Sequence, residues 1–346
     1  MTTTLPGILT EVDEFVQPVI RAHLDRIDER TRRVAGYQLG YWDVEGNPTV
    51  RGGGKGLRPA LALLSARAAG RDARDGLTGA AAVELVHNFS LLHDDVIDGD
   101  RERRHRPTAW AAFGIGPAIL AGDALLGLAA DLLSESPRGN AAWASRCLSA
   151  AIRRLIAGQA ADIAFETRAE VTLDECLTMA RDKTAALLSC SATLGAILCG
   201  APEELTLGLA LYGDRLGLAF QLTDDLLGIW GEPAVTGKPV LADLRERKKS
   251  VPVVRALTAG GPASEKLRDL YAAPGDLSDT DLATAAALIE ETGARDWTTK
   301  EADRLLTEAL AELDRLTGPG GAAGPELTDV HGELVAVAHF ITGRDH

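Results

Sequence analysis

Apolar residues recur along most of this chain at intervals of three and four, the spacing of one face of an α-helix. The pattern predicts helices over residues 8–33, 57–69, 77–98, 117–134, 141–166, 172–198 and 204–229, with two or three more between 252 and 316. Pro18 predicts a kink in the first of them. Turn-forming residues crowd 40–56, a polar loop covers 231–249, and a Gly/Pro/Ala linker at 318–325 leads to a last helix at 326–342. No alternating strand pattern of useful length and no fixed repeat breaks the series. The expectation is an all-α fold, with residues 1–346 forming a single domain, one large bundle around a central cavity.

Composition agrees with helix over strand, since aromatics make up only 4% of residues while apolar residues reach 46%. The formal net charge of −14 would be repelled by a phosphate backbone, which argues against nucleic acid as a partner. Cys147, Cys176, Cys190 and Cys199 contain no C-x-x-C pair, so neither a zinc site nor a disulfide framework is indicated, and reduced thiols in the cytoplasm are the plain reading. The opening residues lack a basic segment followed by an apolar core. The longest uncharged stretch, 184–202, is broken by Ser, Thr, Cys and Gly and reads as a buried helix, so no membrane span is expected.

Two acidic clusters change the picture. Asp94, Asp95 and Asp98 end the apolar run of 77–98; Asp94 and Asp98 are four apart and share a helical face, with Asp95 beside them. Three like charges so close repel, and a hard divalent cation such as Mg²⁺, which takes one or two carboxylates plus substrate phosphates, is the natural remedy. A solvated acidic turn at a helix end is the bland alternative. Asp224 and Asp225 end a second apolar helix, and Gln221 lies on their face three and four positions earlier. Two such pairs on separate helices would clamp a diphosphate through bridging metals.

Basic clusters alternate with the acidic ones. Lys55 and Arg58 flank a glycine-rich entry into a helix, where backbone and helix terminus both favour an anion. Arg103 and Arg104 follow the first acidic cluster, Lys183 and Thr184 sit within a helix, and Lys238 and Lys248 flank the second pair's loop. Any one of these could be a surface ion pair. Their alternation suits substrates with two diphosphates, one held through metal and one by direct cations.

Taken together, residues 53–252 resemble the trans-isoprenyl (polyprenyl) diphosphate synthases, of the geranylgeranyl/farnesyl diphosphate synthase kind. Asp94-Asp95-Val96-Ile97-Asp98 matches the first aspartate-rich motif of that family and Asp224-Asp225-Leu226-Leu227-Gly228 the second. The resemblance implies mostly antiparallel helices around a deep central apolar cavity, usually as a homodimer. It implies head-to-tail condensation of isopentenyl diphosphate with an allylic diphosphate, by metal-assisted departure of the allylic diphosphate. Mg²⁺ is the implied cofactor, replaceable by Mn²⁺, on Asp94, Asp95, Asp98, Asp224 and Asp225. Lys55, Arg58, His87 and Arg104 would hold isopentenyl diphosphate; Arg103, Lys183, Thr184, Gln221 and Lys238 would contact the allylic one, with Lys248 a further basic position. No side-chain base stands out, and the family assigns proton removal to the released diphosphate. Gly228 departs from the pattern, which usually has a third Asp there, and Ser250 stands where Thr is common.

Product length follows from the same resemblance. Phe89 and Ser90 lie one turn before Asp94, and a bulky residue beside a small one goes with a twenty-carbon product. Geranylgeranyl diphosphate is therefore the expected main product and farnesyl diphosphate the alternative. His93 is either a partner of Asp94 or a helix histidine satisfied elsewhere. A class I terpene cyclase would leave Lys55, Arg58 and His87 unexplained and lacks its usual second motif here. A non-catalytic partner subunit tends to lose one aspartate motif, and both persist.

Overall fold

The computed structural model describes residues 7–49, 56–136, 140–232, 240–318 and 324–343. Apart from one short ribbon, the regular structure among these residues is helical, so the all-α expectation holds. The chain divides into two compact units, one of residues 1–152, 187–210 and 312–340, the other of 153–186, 211–311 and 341–346.

The first unit opens with α1 (Ile8–Glu11), a single π-turn at Val12–Val16, α2 (Gln17–Leu24) and α3 (Glu29–Gln38). One kinked helix was expected over 8–33; instead Pro18 sits in the first turn of α2, where its missing N–H costs nothing, and the chain breaks before α3. The break is made by Asp28, whose carboxylate caps α3 by accepting from the N–H groups of Arg30 and Thr31 at 3.0 and 3.1 Å. α4 (Leu57–Ala68) and α5 (Leu77–Asp98) follow. α5 spans the expected 77–98 and stops at Gly99, which takes a left-handed conformation at φ 71°. A two-stranded antiparallel ribbon, β1 (Glu102–Arg103) and β2 (Arg106–Pro107), was not expected from the pattern. Arg104 and His105 form its two-residue turn with φ of 53° and 60°, the geometry that matches strand twist. α6 (Ala109–Phe113) leads to α7 (Ile115–Ser134), which packs along α5.

α8 (Ala141–Thr167), α9 (Leu173–Ala180), a π-turn at Arg181–Ala185, α10 (Ala186–Leu198) and α11 (Glu203–Trp230) match the sequence pattern to within a few residues. Thr172 starts α9 through a reciprocal capping box with Glu175. Beyond α12 (Ala242–Arg245) the expected two or three helices are four: α13 (Val251–Thr258), α14 (Gly261–Ala272), α15 (Asp279–Glu291) and α16 (Ala294–Thr317). The extra breaks fall at Gly260 and at Ser278, which caps α15 with Asp281. α17 (Pro325–Thr342) ends the fold.

In the second unit, one apolar cluster joins Phe165 of α8, Met179 of α9, Leu218 and Leu222 of α11, Val251 and Val254 of α13 and Leu305 of α16. A second joins Ile229, Leu244, Val253, Leu267 and Ile289. These clusters fix the end of α11, and with it the second acidic pair. Among the described residues one helix, α7, is long and apolar enough to cross a membrane. It buries Ala118, Ala121, Leu125, Leu128 and Leu132 and exposes Ile115, Ile119 and Leu120.

Candidate active site

In the first unit the acids occupy the last turns of α5. Asp95 is 1% exposed, Asp94 half-buried and Asp98 exposed. Burial raises the pKa of Asp95, with Asp100 and Asp98 adding to the effect and Arg103 opposing it. The ribbon explains how that burial is tolerated: it turns the chain back so that Arg103 Nε donates to Asp95 Oδ1 at 2.6 Å. The other oxygen, Asp95 Oδ2, is buried with no hydrogen-bond partner. An acceptor in that position carries the full desolvation cost of a carboxylate oxygen unless a cation meets it. It is the clearest fit to a metal among the acidic residues here.

Cations gather near the same helix. The charges of Arg58 at the start of α4, Arg104 and Arg103 all act on His87 of α5. Burial first, then those three guanidinium groups, hold the imidazole well below its ordinary pKa. His87 is thus a neutral donor among positive charges. The structure sets the charges of Arg58, Arg103 and Arg104 around His87, although the resemblance divided these residues between two substrates. Lys55, expected beside them, lies outside the described residues.

Phe89 and Ser90 sit one turn back, 6% and 8% exposed. The Phe89 ring meets the His93 ring edge-on at 4.8 Å between centroids. Both lie against Gly122 of α7, where an added Cβ would stand 3.5 Å from Phe89 Cδ2 and 2.5 Å from His93 Nε2. His93 Nε2 donates to the Ile119 carbonyl at 3.1 Å, so this histidine is satisfied by α7. Ser90 Oγ donates to the His87 carbonyl at 2.8 Å.

In the second unit α11 carries Asp224 to the surface and buries Asp225. Asp225 Oδ1 accepts from Gln221 Nε2 at 2.8 Å, as the one-turn spacing implied. Its Oδ2 accepts from the Val251 N–H at 2.9 Å, the first free donor of α13. Burial pushes the Asp225 pKa up to about 7; the Lys248 charge, the Val251 N–H and Gln221 pull it down, and Asp243 adds to the rise. Thr184 Oγ1 in turn donates to Gln221 Oε1. Burial opposes the charged form of Lys248, yet the carboxylates of Asp243, Asp225, Asp162 and Asp224 outweigh it and raise the ammonium's pKa.

Lys183 lies in the π-turn of Arg181–Ala185, an irregularity that often marks functional positions. Its Nζ pairs with Asp162 Oδ2 of α8 at 2.6 Å. The two segments approach at Gly158, where a Cβ would stand 2.2 Å from the Lys183 backbone nitrogen. Lys238 lies outside the described residues. Asp162 and Asp243 are acidic members of this group that sequence reasoning missed. The only trace of Asp162 was its place one turn after Gly158 on an otherwise plain helix, and of Asp243 its place in the loop after the second pair.

No three His, Cys, Asp or Glu side chains converge tightly enough to hold a metal unaided among the described residues.

The chain matches the polyprenyl synthetase family over residues 46–289. It is 47% identical over 344 residues to the (2E,6E)-farnesyl diphosphate synthase of Mycobacterium tuberculosis, covering 99% of this chain and 93% of that protein. It is 42% identical over 329 residues to the geranylgeranyl diphosphate synthase of the same organism, covering 95% and 91%. Its fold matches a crystal structure of a polyprenyl synthetase from Streptomyces coelicolor A3(2) with a TM-score of 0.90 and 48% identity, covering 97% and 98%.

Proposed function

We propose, from the premise that this chain belongs to the polyprenyl synthetase family and is a prenyltransferase, how its residues carry out the head-to-tail condensation of isopentenyl diphosphate with an allylic diphosphate. The observation that carries the assignment is Asp95: one carboxylate oxygen braced by Arg103, the other buried and unmatched. Asp94, Asp95 and Asp98 would hold Mg²⁺, with Mn²⁺ an acceptable substitute, and Asp224 would hold it from the second motif. When bound, the divalent ion supplies positive charge to the allylic diphosphate as it departs. Asp225, whose two oxygens already accept from Gln221 and Val251, supports a reading in which it orients Asp224.

Arg103, Lys183, Thr184, Gln221 and Lys238 would contact the allylic diphosphate, with Lys248 beside them. Lys55, Arg58, His87 and Arg104 would hold isopentenyl diphosphate, His87 contributing a neutral N–H rather than a charge. The carbocation-like carbon left by ionisation needs walls without nucleophiles, which the Ala- and Leu-rich part of α5 would supply. The released diphosphate takes the proton that ends the cycle.

Geranylgeranyl diphosphate is our main product, on the pairing of bulky Phe89 with small Ser90. Farnesyl diphosphate is the second reading, favoured by the 47% identical relative of that name. A homodimer is part of the same reading. The exposed Ile115, Ile119 and Leu120 of α7 form an apolar face that a second copy would cover, in place of a membrane. The cytoplasm is the compartment that suits four cysteines joined by no disulfide.

The test is incubation of purified protein with isopentenyl diphosphate and dimethylallyl, geranyl or farnesyl diphosphate in Mg²⁺. Twenty-carbon product that disappears with EDTA and returns with Mg²⁺ or Mn²⁺ is the expected result. Full turnover in excess EDTA would refute the metal assignment, and a fifteen-carbon end product would replace geranylgeranyl by farnesyl.

A further inference from the structure

Gly228 stands where the resemblance called for a third aspartate, one turn after Asp224 on the same face of α11. The side-chain space there is already occupied. A Cβ built on Gly228 would lie 2.2 Å from Asp243 Oδ2, 2.5 Å from its Cγ and 2.8 Å from its Oδ1, closer than real Cβ atoms come. Asp243 belongs to α12 and is 7% exposed. A carboxylate therefore reaches the third position of the motif from a different element.

The segment carrying Asp243 is held in an unusual shape. Leu241 and Arg247, on either side of α12, adopt φ of 62° and 51° without being glycine. Left-handed backbone at such residues costs about 1–2 kcal/mol each and persists where the surroundings over-determine it. The Lys248 N–H donates to the Asp243 carbonyl at 2.9 Å, which closes the turn and fixes the two residues together. Among the carboxylates acting on the Lys248 ammonium, Asp243 is the strongest.

We propose that Asp243 is the third carboxylate of the second aspartate motif, delivered by α12 onto Gly228, and that it positions Lys248 beside Asp224 and Asp225 to meet the allylic diphosphate. The proposal rests on the prenyltransferase reading above. Position 228 suits glycine in this chain because the Asp243 carboxylate fills the space that a Cβ would take. Asp243 acts through Lys248 and is a positioning residue.

The experiment compares Gly228→Asp, Asp243→Gly, the two together, and Asp243→Asn. Each is read by steady-state kinetics with geranyl diphosphate as the allylic substrate and by the thermal upshift that MgCl₂ with inorganic diphosphate gives the full-length protein. Either of the first two substitutions alone should lower kcat/KM by roughly 10²-fold and remove the upshift, because one crowds the seat and the other vacates it. The pair should recover to within about tenfold of wild type, with the upshift restored, because the helix carboxylate then takes the seat. Asp243→Asn keeps the shape and removes the charge beside Lys248, so its ligand-free Tm should fall less than that of Asp243→Gly while KM for geranyl diphosphate rises roughly tenfold. It decides the matter should Gly228→Asp fail to fold. A Gly228→Asp enzyme within about threefold of wild type, a pair no better than its worse member, or an unchanged KM in Asp243→Asn would each overturn the inference. Wild-type protein without turnover would instead overturn the reading beneath it.

Discussion

Replacing Phe89 with alanine tests the floor on product growth. Phe89 is 6% exposed, stacked edge-on against His93 and lodged beside Gly122. Removing a fully buried phenyl group costs roughly 3–5 kcal/mol, transfer and cavity together. For a chain of this length that is a fall in Tm of roughly 5–10 °C. The ring carbons removed slightly outnumber those of one isoprene unit, so the space opened matches one further elongation. A longer product that fills this space should recover part of the lost stability, making the variant's Tm more sensitive to product than that of wild type. The assay is chromatography and mass spectrometry of the dephosphorylated products, with dimethylallyl diphosphate as primer and isopentenyl diphosphate in excess. Phe89→Ala should move the main product beyond twenty carbons, and Ser90→Phe, which adds a ring to a buried position, should move it to fifteen. An unchanged distribution in both variants would mean that Phe89 is only a core aromatic and that growth is stopped elsewhere.

Asp94→Ala and Asp98→Ala should each lower turnover by at least about 10²–10³-fold while circular dichroism stays native, because neither side chain is fully buried; near wild-type rates would refute the assignment. Arg58→Ala should chiefly raise KM for isopentenyl diphosphate; a rise confined to the allylic substrate would exchange the two subsites. The pH dependence of the metal-free protein follows from Asp225. Its folded pKa of about 7 lies above the ordinary carboxylate value of 3.8, so its stabilising contribution is full below about pH 4 and is lost as pH rises through about 7. Relative to Asp225→Asn, wild type should therefore lose stability over that window, with a ceiling on the order of 4 kcal/mol at about 1.4 per pH unit; a Tm difference flat with pH would contradict this.

The helical fold was legible along the chain because it rests on local spacing, which also marked the two acidic clusters, whereas the roles of the individual site residues came from the resemblance. Apolar period gave α5, α8 and α11 nearly to the residue, and one-turn separation already put Gln221 on the face of Asp225. Where expectation and structure part, the cause is a local cap or turn too short to show a period: Asp28 splitting the first helix, Ser278 the last group, Arg104 and His105 closing the ribbon. What only the tertiary structure decided is which groups meet across sequence distance. Asp95 is braced by Arg103 because a ribbon turns the chain back, and Lys183 pairs with Asp162 because Gly158 lets two helices touch. Gly228 read along the chain is a missing aspartate; in the fold it is the space that Asp243 fills. Helix periodicity is set by neighbours within one turn and can be read from sequence. Desolvation and pairing depend on what the folded chain brings alongside, and only the fold assigns those partners.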